Sequence, residues 1–203
     1  ECLVIEKKAL GEAHPEVAVT IAEIGGVLRR QGDYAGALSR YEECLVIEKK
    51  ALGEAHPEVA QTISLIGQVL KDQGDYAGAI SRYEECQKIQ SEALGDDHPE
   101  LIETENHIWF STALWKASEV DMVSLASHKK QVEEMSWTGV ENMKWRLRLV
   151  DVLLAGSVEG VHQAEQKLSL CESEASKEQY DKSRVNELKS VGRALQKMKN
   201  TKT

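Results

Sequence analysis

The chain has 203 residues, of which 41% are apolar and 29% are charged, and its formal net charge is −9. This composition is typical of a helix-rich globular or repeat protein rather than of a disordered chain. The acidic balance argues against a nucleic-acid binder, which needs a basic surface. The longest apolar run, residues 149–155, is interrupted by Asp151 and is far too short to cross a bilayer.

An internal repeat begins at the first residue. Residues 1–18 read ECLVIEKKALGEAHPEVA, and the same letters return from residue 43. Residues 1–42 and 43–84 differ at only seven positions, and an altered third copy starts at residue 85. Such a fixed spacing predicts an array of units that bury their apolar faces against their neighbours.

Each full copy predicts a hairpin of two helices. In the first copy, His14 is expected to cap the first helix, with Pro15 at its first position, and Gly32 is expected to end it. Asp33 is expected to cap the second helix, which Gly53 ends. Apolar residues recur at helical spacing in both helices, so each hairpin must stack on the next to bury them.

The predicted organisation has five parts: the second helix of a preceding hairpin at 1–13, hairpins at 14–55 and 56–97, a degenerate hairpin at 98–135 and a divergent helical cap at 136–203. The third hairpin is called degenerate because it keeps His98 and Pro99 but loses the QGDY turn. Because the chain starts inside a hairpin, we expect it to be the C-terminal part of a longer array.

The second half of the chain also reads as helical. The segment VENMKWRLRLVDVLLAG predicts a helix that ends at Gly156. All four tryptophans lie in this half, at positions 109, 115, 137 and 145. They are expected to form a cap core that closes the open end of the array. The alternative is an exposed aromatic contact for a partner, because tryptophan is favoured at binding hot spots.

The hairpin pattern resembles the tetratricopeptide repeat. The resemblance rests on Ile24-Gly25, Gly32, Tyr34, Ala37, Tyr41 and Cys44, and on their copies 42 residues later. The 42-residue spacing is similar to that of kinesin light chains and nephrocystin-3-like proteins. The resemblance covers roughly residues 1–108 and implies an all-α, right-handed α-solenoid of antiparallel hairpins. No heptad segment that would join a kinesin heavy chain is present in the sequence, so a motor subunit is not predicted.

The positions at which the two copies differ point to a candidate binding face. Six of the seven lie in the first helix of the hairpin, within an arc of about 120°. The resemblance implies that this face lines a concave groove. Drift on an exposed face explains the pattern equally well. The predicted groove residues are Val19, Glu23, Arg29, Arg30, Gln61, Ser64, Leu65, Gln68, Lys71, Asp72, Glu103, Asn106, His107 and Phe110.

The groove residues suggest a kind of partner. Arg29, Arg30 and Lys71 are expected to form a basic cluster that suits an acidic segment or a carboxylate. The predicted function is a non-enzymatic protein-interaction scaffold that binds a peptide or helix of a partner in the groove. The alternative is an architectural subunit wedged into a large multiprotein assembly through its convex face, its edges or its Trp-rich C-terminal part.

No motif in the sequence predicts chemistry. It has no Gly-rich phosphate loop, no HExxH and no nucleophile elbow. We therefore predict no catalytic residue, no metal ligand and no cofactor. The expected partners are other proteins, with no nucleic acid and no membrane span.

Cysteine usage suggests a compartment. Cys2, Cys44 and Cys86 are one repeat position written three times, Cys171 stands alone, and no CxxC pair is present. We expect them to be small buried residues within helices, which fits the cytoplasm or another reducing compartment. No signal peptide is visible, and the true N-terminus is expected upstream.

Overall fold

The computed structural model describes residues 2–95, 98–119, 121–134, 141–158, 161–177 and 182–201. The chain divides into two compact units, Glu1–Ile108 and Trp109–Thr203, here called the N-terminal and C-terminal units. The fold is all-α, as the sequence predicts. The described helices are α1 (Cys2–Leu10), α2 (Pro15–Gln31), α3 (Tyr34–Leu52), α4 (Pro57–Gln73), α5 (Tyr76–Leu94), α6 (Pro99–Ser118), α7 (Met122–Glu134), α8 (Glu141–Val158), α9 (Val161–Lys177) and α10 (Lys182–Thr201).

The helix ends in the N-terminal unit confirm the predicted caps. The ring Nδ1 of His14 accepts a hydrogen bond from the backbone N–H of Glu16 at 3.3 Å, with Pro15 at the first helical position. At the other end Gly32 adopts a left-handed φ of 85°, which glycine reaches without steric cost. Asp33 then accepts a hydrogen bond from Gly36 N–H at 3.0 Å and starts α3. The same caps recur 42 residues later.

Within each of the two full hairpins, a tyrosine ring packs closely against a glycine. A Cβ atom added to Gly25 would lie 2.9 Å from the ring of Tyr41, and one added to Gly67 would lie 2.8 Å from the ring of Tyr83. Both rings are buried. The missing side chain therefore lets the two helices of a hairpin approach closely, which explains why this glycine and tyrosine occur together in each copy.

Buried apolar clusters join the two helices within each hairpin and also join one hairpin to the next. Val17, Ala18 and Ile21 of α2 form one buried cluster with Cys44 and Ile47 of α3. A second cluster joins Ala37 and Tyr41 of α3 to Ile66 and Val69 of α4, and a third joins Val59, Ala60 and Ile63 of α4 to Cys86 of α5. All of these positions are identical in the two full copies. The unchanged residues are thus the ones that hold the stack together.

A polar triad lies where one hairpin meets the next. At the first junction, where α3 packs against α4, Cys44 Sγ is 3.7 Å from Thr62 Oγ1. Glu48 lies beside them with only 7% of its surface exposed. Burial raises the pKa of Glu48, against the opposing effect of hydrogen bonds from Thr62 and Cys44. Burial also raises the pKa of Cys44 to about 12.

The second junction, where α5 packs against α6, repeats the triad with one change. Cys86 Sγ is 3.7 Å from Thr104 Oγ1, and the position of Glu48 is taken by Gln90. Thr104 Oγ1 donates to Gln90 Oε1 at 2.8 Å. An amide therefore replaces a buried carboxyl at the same place in the repeat.

The C-terminal unit is organised around a buried ion pair between α8 and α10. Arg146 donates from Nε to Glu187 Oε1 at 2.7 Å, and each side chain is only 4% exposed. The guanidinium lies 5.5 Å from the centre of the Phe110 ring. Gly156 does not end α8, which continues to Val158. A Cβ atom there would lie 3.0 Å from Leu195, so this glycine serves packing.

The tryptophans only partly follow the predicted cap core. Trp109 is buried and stacks on His128, with ring centres 5.6 Å apart. Trp115 is 41% exposed, because six residues place it about 120° around α6 from Trp109. The prediction is therefore wrong for Trp115. Trp137 and the side chain of Trp145 lie outside the described residues. No described helix combines the length and apolar character needed to span a membrane.

Candidate partner-binding cleft

A cleft of about 280 Å³ opens in the N-terminal unit between α4 and α6, with α5 beneath it. We call it the α4–α6 cleft. Four of the lining residues come from α4, one from α5 and four from α6. They are Gln61, Ser64, Leu65 and Gln68, then Gln90, then Glu100, Glu103, Thr104 and His107.

The wall from α4 coincides with the positions that distinguish the two copies. Gln61, Ser64, Leu65 and Gln68 follow the spacing i, i+3, i+4 and i+7, which places them on one face of the helix. The first copy has Val19, Ala22, Glu23 and Gly26 at these positions. The α4 wall of the cleft is therefore made of residues that differ between the two copies.

The floor of the cleft is a buried amide. Gln90 is 4% exposed and Thr104 is 3% exposed. Thr104 donates to Gln90 Oε1, which uses the carbonyl end of the amide. The NH₂ end of Gln90 has no hydrogen-bond partner among the residues the structure describes. This group can donate to an acceptor that enters the cleft.

The wall from α6 carries negative charge at the mouth. Glu100 and Glu103 are exposed, and 65% of the Glu103 side chain is accessible. His107 is buried, with its ring stacked on Tyr83 at 5.1 Å and its Nε2 atom 3.8 Å from Glu103 Oε1. Of the described residues that line the cleft, none is Lys or Arg.

An ion pair bridges α2 and α4 at one end of the α4 wall. Arg29 Nε donates to Asp72 Oδ2 at 2.8 Å, and Arg29 also donates to Gln68 Oε1 at 2.6 Å. The Arg29 side chain is 15% exposed and that of Asp72 is fully buried. The bridge compensates the charge of Arg29. It also uses the carbonyl of Gln68, so the NH₂ group of Gln68 has no partner in the described part of the chain.

The expected basic cluster is not formed as one exposed surface. Arg29 is paired with Asp72, and Lys71 is only 2% exposed, so Arg30 alone of the three is exposed. The physical reason is the ion pair across hairpins: the second copy has Asp72 where the first has Arg30, and this carboxylate binds Arg29. The acidic partner that the cluster suggested loses its support.

The other predicted groove residues are divided between surface and core. Val19 and Glu23 are exposed on α2. Asn106, His107 and Phe110 are buried, although His107 still lines the cleft. Of the 14 predicted residues, the cleft brings together six, namely Gln61, Ser64, Leu65, Gln68, Glu103 and His107. A binding role for any of them stays a prediction.

Three cleft residues are absent from the predicted set: Gln90, Glu100 and Thr104. The first two copies differ mainly in their first helices, so these differences do not mark α5. The signal for Gln90 is nevertheless present in the sequence, because the third copy replaces the glutamate found at positions 6 and 48 with glutamine. Among the described residues, no group of His, Cys, Asp and Glu is arranged to hold a metal ion.

Comparisons with known proteins agree with this architecture. A family model for the tetratricopeptide repeat matches residues 16–92. A crystal structure from Podosopora anserina, described as a kinesin light chain with nearly identical TPR-like repeats, is similar with a TM-score of 0.56 at 15% identity over 88% of this chain and 84% of that chain. A variant of it gives 0.56 at 16% identity, over 87% and 83%.

At such low identity these structures support the fold alone, and no curated protein matches the chain significantly. The repeat signature, the family model and the solved structures nevertheless agree on the N-terminal unit. Residues 16–92 thus match the tetratricopeptide repeat family, and the fold of the chain is similar to that of the kinesin light chain repeat structures.

Proposed function

We propose that this chain is a non-enzymatic interaction scaffold that holds an extended peptide segment of a partner protein in the α4–α6 cleft. Tetratricopeptide repeats in general serve protein interaction. The observation that carries the proposal is the pair of amide groups from Gln68 and Gln90, whose NH₂ ends have no partner among the described residues at a cleft of about 280 Å³.

The lining favours an extended segment over a helix. A helix satisfies its own backbone groups and binds through an apolar stripe. The α4–α6 cleft has Leu65 as its one apolar lining residue among those described, so it offers little to such a stripe. An extended segment instead presents backbone carbonyls and N–H groups that need partners, and glutamine and serine side chains can supply them.

A matched pair of variants tests the cleft. Ser64→Arg places a long side chain in the cleft, whereas Ser81→Arg adds the same side chain at an exposed position on α5. Peptides selected by display on the native chain are expected to bind Ser81→Arg normally and to bind Ser64→Arg at least about tenfold more weakly. Equal binding to both variants contradicts the proposal.

The C-terminal unit supports a second candidate function, that of an architectural subunit in a larger assembly. Trp115 is 41% exposed, Val123 is 84% exposed and Leu170 is 66% exposed. Tryptophan in particular is enriched at the contact surfaces of protein complexes. Under this candidate, Trp115→Ser is expected to release the chain from its native complex in size-exclusion chromatography of source lysate, whereas Ser64→Arg leaves it in place.

A further inference from the structure

We infer that the segment held in the α4–α6 cleft is basic, with Lys or Arg side chains that pair with Glu100 and Glu103. This inference rests on the proposed function and names the chemistry of the partner. It reverses the acidic partner expected from Arg29, Arg30 and Lys71.

The charge of the lining carries the first step. Glu100 and Glu103 are the charged residues among the described lining, and both are exposed. Residues 99–108, the part of α6 that lies in the N-terminal unit, contain Glu100, Glu103 and Glu105 and no Lys or Arg. The charge of Arg29 is compensated, because its guanidinium is bound to Asp72 at 2.8 Å. The field in the cleft therefore attracts cations and repels carboxylates.

The buried amide carries the second step, independently of charge. Gln90 is 96% buried and lines the cleft, and its NH₂ group has no partner in the described part of the chain. The side chain is largely buried, but its NH₂ group is not one of the buried atoms that lack a partner, so it is accessible from the cleft and can donate to an acceptor there. A backbone carbonyl of an extended peptide supplies one, and the NH₂ group of Gln68 can take another.

The two steps agree on one ligand. In an extended segment successive side chains point in opposite directions, so a backbone bonded to the cleft floor directs alternate side chains outward. A Lys or Arg directed toward α6 places its charged end at Glu100 or Glu103. Its aliphatic stem packs on Leu65, because long basic side chains bury their methylene groups on apolar surface.

The test uses two synthetic peptide pools of Gly, Ala and Ser that carry either two Lys or two Glu at the same positions. Each pool is titrated into the ¹⁵N-labelled native chain, and amide shifts are followed at Ser64, Leu65 and Gln90. The basic pool is expected to move these signals. Glu100→Gln/Glu103→Gln is expected to weaken that binding about tenfold, as for two partly exposed ion pairs. Glu84→Gln/Glu92→Gln removes the same charge at exposed positions on α5 outside the cleft and serves as the control.

The outcomes separate the two proposals. If the acidic pool moves the cleft signals and the basic pool does not, the inference fails and the cleft remains a peptide site. If the basic pool binds Glu100→Gln/Glu103→Gln as tightly as it binds the native chain, the two glutamates do not determine the preference for basic peptides, and the inference also fails. If neither pool moves the cleft signals, the proposed function itself fails.

Discussion

The two hairpin junctions of the N-terminal unit are built on nearly the same scaffold, yet one is bridged and the other is open. At the first, Arg29 of α2 crosses to Asp72 and Gln68 of α4. At the second, α4 and α6 enclose a cleft of about 280 Å³. The packing residues are unchanged between the two copies. A few side chains at the first-helix positions that differ, here called the variable inner face, therefore decide whether a junction is bridged or open to a partner.

The junctions differ a second time in their polar triads. Glu48 at the first junction is a buried carboxyl whose pKa is raised by burial, whereas Gln90 at the second is a neutral amide bonded to Thr104. At the first junction, burial of the charged form of Glu48 therefore costs free energy. The second holds an isosteric group that stays neutral and directs a donor into the cleft.

Breaking the bridge is expected to have the largest effect. Arg29→Met removes the cation bound to the fully buried side chain of Asp72, and we expect the free energy of unfolding to fall by about 3 kcal/mol. Urea unfolding followed by circular dichroism measures this loss. Arg30→Met, at the exposed neighbouring position, is expected to change stability by less than about 0.5 kcal/mol.

A double variant separates the ion pair from simple packing. If the loss in Arg29→Met comes from the charge of Asp72 in its buried site, Arg29→Met/Asp72→Asn recovers a large part of it. Losses that add without recovery show that the bridge does not act as an ion pair.

Exchanging glutamate and glutamine at positions 48 and 90 is expected to change the free energy of unfolding by a smaller amount, with opposite signs at the two junctions. At neutral pH Gln90→Glu buries a new carboxylate and is expected to cost about 2 kcal/mol. Glu48→Gln removes one and is expected to stabilise the chain by about 1 kcal/mol. Equal effects of the same sign contradict the contrast between the junctions.

The pH dependence of the Glu48 effect has a defined direction. Burial raises the folded-state pKa of Glu48 above its ordinary value of 4.5, with Glu58 adding to the rise and Thr62, Cys44 and His56 opposing it. The folded state therefore keeps the Glu48 proton to a higher pH than the unfolded state does. As a result, the free energy of unfolding falls as pH rises from the unfolded-state pKa to the folded-state pKa of Glu48. The gain from Glu48→Gln is therefore expected at neutral pH and should disappear below about pH 4.5. Unfolding measured from pH 4 to 8 shows it.

Features set by local chemistry could be predicted from the sequence. His14, Gly32 and Asp33 cap helices through contacts within a few residues, and the helical spacing of Gln61 and Leu65 places them on one face. The predicted helix end at Gly156 was wrong. This glycine lies inside α8, where it makes room for Leu195, a residue distant in sequence that packs against it.

Features set by tertiary contacts could not be predicted in the same way. The bond between Arg29 and Asp72 joins residues 43 positions apart, and it turns an expected ligand contact into a structural one. Gln90 reaches the cleft from α5, whose inner surface the differences between the first two copies do not mark. The acidic character of the cleft likewise emerges only when α6 is placed opposite α4.

The smallest expected effects test whether the scaffold is the same at both junctions. Gly25→Ala and Gly67→Ala each bring a Cβ atom to within 2.9 Å or less of a buried tyrosine ring. Overpacking outweighs the gain in helix propensity, so we expect each to lose about 1 kcal/mol, and by equal amounts. Thermal unfolding of the two variants measures this.

The adjacent glycine provides the control with the opposite sign. A Cβ atom on Gly26 would lie 3.5 Å from the Tyr41 hydroxyl, an ordinary contact, so Gly26→Ala is expected to stabilise α2 by about 0.5 kcal/mol. The second copy already has Gln68 at this position, on the face that lines the cleft. Loss of stability in Gly26→Ala similar to that in Gly25→Ala contradicts the division between a fixed packing face and a variable inner face. Stability changes of opposite sign in Gly25→Ala and Gly26→Ala support this division. Side chains on the variable face can then differ between a bridged junction and an open cleft without destabilising the packing of the hairpins.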